Sequence, residues 1–213
     1  MKKGTNIIIN ILLLAVIVFL AIQVVQSIQA PIKFGNEQKA RETQVVQCLM
    51  DIRNAEVLYK NANNQYTKDF DSLIQFCQTA EIPIVNIIPD PEDTTFTRTI
   101  NDTIGFVMVM DSLKAGRDNF NINEMKIVPF GANNEQFELE AGNISRNGIE
   151  IPVFEARTPY EVYLATPGAA FNEKEWKQRV DNAKAEKESI NRYAGLKVGS
   201  MEEASTDGNW EKL

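Results

Sequence analysis

The chain has 213 residues, 44% hydrophobic and 24% charged, with a formal net charge of −7. That acidity argues against nucleic acid or anionic headgroups as partners, because both call for a basic surface. With no histidine and two cysteines, His-based triads, His-ligated zinc and thiolate or iron–sulfur cages within one chain are excluded, and no cofactor or metal site is expected.

Lys2 and Lys3 precede an apolar run, Ile7–Ile22, that is broken by Asn10 and extends to Val25 if Gln23 is tolerated. These roughly 19 residues reach about 28 Å as a helix, close to the hydrocarbon thickness of a bilayer. A cleaved signal has a shorter apolar region, of about 7–15 residues. The nearest cleavage-like site, at Ala30, carries bulky Ile28 two residues before it and Pro31 directly after. Residues 1–30 are therefore read as an uncleaved, single-pass signal anchor spanning the lipid bilayer. The N-terminus is placed inside, because a long acidic domain is more readily the translocated part. Asn10 is a candidate intramembrane contact, set against a polar residue simply tolerated near the interface.

Pro31 and Gly35 predict a hinge over residues 31–36. A helix follows from about Glu37 to Asn61. Its Val45, Cys48, Leu49, Ile52, Ala55 and Tyr59 form an apolar stripe suited to packing on a sheet, with Glu56 as the one intruder. Asp71–Gln78 reads as a second helix, with Asp69 and Asp71 as potential caps.

From Ile82 to Thr166 the signals are β. Ile82–Ile88 is followed by a proline-acid loop whose Asp90, Glu92 and Asp93 read as solvated carboxylates rather than a calcium loop. Thr94–Ile100 and Thr103–Met110 flank Asn101-Asp102 as a hairpin, the second strand being covered on both faces. Phe137–Ser145 and Ile149–Ala156 flank Asn147-Gly148, a strong hairpin signal. Tyr160–Ala165 completes one mainly antiparallel sheet of about five or six strands. The fold class is α+β, with residues 37–168 forming an extracytoplasmic domain.

A charged helix, Glu173–Tyr193, occupies most of residues 169–198. Asn172 and Glu175 have capping-box spacing, Phe171 and Trp176 have staple spacing, and Gly195 fits the helix stop. Residues 199–213 read as a flexible acidic tail. Trp176, Tyr193 and Trp210 are candidate partner-docking residues.

Cys48 and Cys77 form a candidate disulfide, favoured in an oxidising compartment. The bridge would close a loop of about 29 residues and contribute about 3.5 kcal/mol in the chain-entropy model. The alternative is two buried free thiols. No phosphate loop, nucleophile elbow or paired catalytic carboxylates occurs in the expected setting, so no catalytic residue is assigned.

The stretch DIRNAEVLYKNANNQYTKDFDSL, Asp51–Leu73, resembles the end of the N-terminal helix in type IV pilin-like proteins and type II secretion pseudopilins. An amphipathic helix meets a small-polar turn at Asn61–Gln65, then Tyr66-Thr67 and the element Asp69–Leu73. The processing motif is absent, because Ile9 stands where a Glu would follow Gly4 by five residues. The resemblance implies a small α/β head anchored in a bacterial inner membrane, facing the periplasm. It implies a scaffold or assembly role with other envelope proteins or as a homo-oligomer. A periplasmic small-molecule or lipid-binding module using Ile104–Met110 is the alternative, and a carboxylate-dependent enzyme the third.

Overall fold

The computed structural model describes residues 2–89 and 99–211. Helix α1 runs without interruption over Lys2–Asn63, 62 residues, passing through Pro31. At 1.5 Å per residue it is about 93 Å long. The hinge expected at residues 31–36 does not form. A proline inside a helix forfeits one hydrogen bond and costs about 3 kcal/mol. The first turn beyond it is held from outside: Phe34 is buried edge-on against Trp176, with ring centroids 5.1 Å apart, and near Phe171 at 6.3 Å. At Gly35, which occupies open space, the entropic cost of glycine is small enough, about 1 kcal/mol, for a helix of this length to absorb.

The remaining α1 stripe follows the sequence pattern. Val45, Leu49, Ile52 and Ala55 are fully buried, while Cys48 and Tyr59 pack partly against the same core. Helix α2, Phe70–Thr79, turns back beneath it and buries Phe70, Leu73, Ile74 and Cys77. Asp69 caps α2 by accepting from the backbone N–H groups of Asp71 and Ser72.

Strands β1, Glu81–Pro89, and β2, Thr99–Met108, pair antiparallel. The expected Asn101-Asp102 turn lies inside β2, where these residues face Ile87 and Asn86. A bulge between Ile84 and Val85 lets the ladder absorb Ile104 and continue. The expected strand Thr94–Ile100 falls largely outside the described residues, as do Asp90, Glu92 and Asp93. Nor is β2 covered on both faces: Ile104 is 64% and Phe106 66% exposed. The backbone then leaves the strand at Val109 and forms α3, Val109–Lys114.

A second sheet has the order β3-β4-β5, all antiparallel, so among the described residues two sheets replace the single one expected. Strands β3, Glu138–Arg146, and β4, Ile149–Pro159, form the predicted hairpin. Its turn places Asn147 at φ 54° and Gly148 at φ 79°, the left-handed pair that an Asn-Gly turn requires. Tyr160–Ala165 is not a strand. Pro159 ends β4, and helix α4, Tyr160–Tyr163, begins at once. Tyr160, Tyr163 and Leu164 are the buried positions, and that i, i+3, i+4 spacing is helical.

Helix α5, Glu173–Ser189, is capped by Asn172, whose side-chain oxygen accepts from Glu175 N–H at 2.8 Å. The Phe171–Trp176 staple forms, with centroids 5.5 Å apart. Strand β5, Gly195–Gly199, begins where a helix stop was expected. Gly195 is needed for a different reason: a Cβ there would run into Thr158 O and Pro159 Cα on β4. The expected flexible tail is folded. Gly199 N–H donates to Asp207 O, Asn209 N–H donates to Lys197 O, and Arg53 pairs with Glu211 at 2.9 Å.

Candidate functional site

Two of the three aromatic residues singled out as docking candidates come together, and the third does not. A cleft of about 430 Å³ is lined by Tyr193 and Trp210, with Tyr160, Glu42 and three cations, Lys187, Arg192 and Lys197. Trp176 is only 2% exposed, and its indole N–H donates to Leu164 O at 2.6 Å. It is a core residue anchoring α5 to α4. The amphipathic phase of α5 explains this, since Trp176 and Val180 are its buried pair at i, i+4 spacing.

Local chain geometry builds the cleft. After α5, Asn191 takes a positive φ of 53°, and Arg192 N–H returns to Lys187 O at 3.0 Å. This reversal sends Tyr193 into the start of β5. On the other side, Asn209 clamps β5 by accepting from Lys197 N–H at 3.2 Å and donating to Gly195 O at 2.9 Å. The Trp210 ring occupies the space that a Cβ at Gly208 would take. The C-terminal segment thus behaves as a fixed rim, which composition alone concealed.

Charges behind the cleft are organised around buried Glu155. It accepts from Lys197 Nζ at 2.8 Å and Arg157 Nη1 at 3.0 Å. Arg157 also bridges Glu138 and Glu140, each at 2.7 Å, and these bonds raise its pKa despite partial burial. Burial is the first cause, and nearby carboxylates the second, that raise the phenols of Tyr160 and Tyr193 to about 12. Both remain neutral hydrogen-bonding groups at ordinary pH. Chemically, the cleft offers aromatic faces beside cations and suits a partner presenting aromatic or anionic groups.

Cys48 and Cys77 are separate free thiols, not a disulfide. Cys48 lies beside the Asp51–Arg117 ion pair and lines a second cleft. Cys77 lies buried on α2, where burial first and the Glu56 carboxylate second raise its thiol. Burial pushes the thiols up to about 11 and about 12 respectively, which makes both poor nucleophiles.

Glu56, the intruder on the stripe, is fully buried and braces the α1–α2 turn: its Oε2 accepts from Thr67 N–H at 3.1 Å. Its other oxygen has no hydrogen-bond partner, and burial raises the carboxyl to about 8. Sequence reading also missed Arg41, buried to 5% exposure, which donates to Tyr163 O and Thr166 O and stacks on Trp176 and Phe130. No pattern in the sequence separates it from the solvated arginines.

Asn10 is exposed on the bare part of α1. No group of three or more His, Cys, Asp or Glu residues among the described residues is placed to hold a metal ion. The molecule is an α+β protein with one N-terminal helix long and apolar enough to cross a membrane. No protein-family model, curated protein or solved structure matches the chain.

Proposed function

We propose that this protein is a membrane-anchored, non-enzymatic interaction subunit or scaffold of a bacterial envelope complex serving secretion or surface assembly. Its α1 spans the inner membrane, and its acidic head stands in the periplasm. The observation that carries this reading is the continuity of α1. One helix presents a bare apolar surface at its N-terminal end and becomes the central core element of the head at the other. The partner surface is the Tyr193–Trp210 cleft, where aromatic rings and cations are held by fixed backbone.

The test is crosslinking in intact membranes, with a photoreactive residue replacing Tyr193, followed by identification of the adducts. The reading expects a discrete partner protein or a second copy. Recovery of the uncrosslinked monomer alone contradicts it. Protease access in spheroplasts checks topology separately: cleavage of the head is expected, and its protection would reverse the orientation. The small-molecule alternative draws support from the cleft volume, whereas the expected face at Ile104 and Phe106 lies open on a two-stranded sheet. A rise in melting temperature on adding a cell-extracted metabolite fraction would favour that alternative.

A further inference from the structure

We infer that the loop between α4 and α5 forms a second membrane contact: Ala170 and Phe171 rest in the lipid headgroup layer beside α1. This inference rests on the reading that α1 spans a bilayer. From Val162 to Asn172 the chain carries no charged residue, eleven positions in a protein that is 24% charged. The loop leaves Pro167, Ala169 and Ala170 exposed, with Phe171 half-buried. Small apolar groups at a protein surface need no explanation singly. Their position along α1 gives them one.

Ala170 and Phe171 share one cleft with α1 residues from Gln23 to Lys33 and with Glu175 and Arg179 of α5, which pair with each other at 3.0 Å. Ala170 and Phe171 also line another cleft together with Gly168 and Ala169 and with Lys33, Asn36 and Glu37. Within the loop, Ala170 and Phe171 therefore lie nearest the apolar run of α1, with the Glu175–Arg179 pair beside them. The apolar run of α1 ends at Val25, so Ala30 stands about 8 Å beyond it at 1.5 Å per residue. A headgroup layer is about 5–8 Å thick on each side of the hydrocarbon core. Ile28 and Ile32 are also large, exposed apolar residues on α1. These two carry apolar surface to the level of the loop on the side of α1 away from it, while the loop-facing side carries Gln26, Ser27, Gln29 and Lys33.

The loop is held rigidly in place. A Cβ at Gly168 would press on the Glu37 side chain and on Trp176, each at 3.0–3.2 Å. Phe171 is fixed by Phe34, Trp176 and the Arg179 guanidinium. Such a foot would set the angle of the head on the membrane, in addition to the tether. The loop itself is uncharged and the neighbouring Arg179 is paired with Glu175, so the contact is made mainly through apolar and small groups and does not depend on anionic lipid.

The experiment uses the full chain in phosphatidylcholine vesicles doped with headgroup-nitroxide lipid, with flotation measured in parallel. In a Trp210→Phe variant the remaining tryptophan, Trp176, reports on the loop through its contact with Phe171. The expected result is loss of most Trp176 emission, unchanged when half the lipid is phosphatidylglycerol. As a second readout, an environment-sensitive fluorophore on Ala170→Cys in a Cys48→Ser background should shift to the blue on reconstitution. The same label on Asn61→Cys, an exposed position at the distal end of α1, should not. Protein that floats with the vesicles while Trp176 stays unquenched and the label at 170 stays aqueous overturns this inference and leaves the anchor standing. Protein that fails to float overturns both.

Discussion

Between Ile9 and Ile32, α1 carries large apolar side chains that are mostly more than half exposed; between Val45 and Ala55 the same helix buries Val45, Leu49, Ile52 and Ala55 completely. In the first part apolar residues surround the helix, and in the second they occupy one face while Gln44, Gln47 and Asn54 take the other. A helix that is apolar all round needs an apolar solvent, and one that is apolar along a stripe needs a folded neighbour. The contrast is what the proposed anchor requires: one backbone conformation would serve two environments, which would meet at the junction around Pro31.

The largest effect that would sharpen this contrast comes from Leu49→Ala. It removes a fully buried side chain and should cost about 2–5 kcal/mol of head stability, read by denaturant unfolding in detergent. Leu14→Ala should leave that unfolding midpoint unchanged. Leu14→Arg makes the reciprocal case: it should cost about 2.5–3.5 kcal/mol of insertion, read as protein lost from carbonate-washed membranes, without altering the head. If Leu14→Arg unfolded the head as Leu49→Ala does, the two halves would not be separate environments.

Glu56 tests the buried half by pH. Its carboxyl rises from the ordinary 4.5 to about 8 in the fold. Between those values the folded state holds a proton that the unfolded chain has released. Stability from this group is therefore complete below about pH 4.5, falls by about 1.4 kcal/mol per pH unit as pH rises toward 8, and levels off above that. Glu56→Gln should flatten the profile across this window and make the head more stable than the parent protein at pH 8.5. An unchanged slope in the variant would remove Glu56 as its cause. A smaller effect is expected at Asp69→Ala, which deletes the α2 cap and should cost about 1 kcal/mol while leaving membrane association intact.

Much of this architecture was legible because it rests on local rules. The Val45–Tyr59 stripe, the Asp69 and Asn172 caps and the Asn147-Gly148 turn each depend on residues a few positions apart. The misreadings involve forces that arrive from elsewhere in the chain. Pro31 sits in a continuous helix because Phe34 and Arg41 just beyond it are gripped by Trp176, about 140 residues away in sequence. Tyr160–Ala165 follows the hairpin and reads as a last strand, yet burial of Tyr160, Tyr163 and Leu164 selects a helix. The acidic C-terminal segment folds because Asn209 and Gly208 complete the edge of β5, a pairing that composition does not reveal. At the candidate site the aromatic types were readable, but their grouping was not. Tyr193 and Trp210 meet only through the β5 edge, while the phase of α5 turns Trp176 inward.

The central claim is that α1 is one rod joining a membrane span to the head. Spin labels at Gln26→Cys and Gln44→Cys in a Cys48→Ser background lie 18 residues apart, five full turns, on the same helix face. Double electron–electron resonance in vesicles should give a single narrow distribution for a backbone separation of about 27 Å. A broad or multiple distribution would restore the hinge at residues 31–36 and contradict the account.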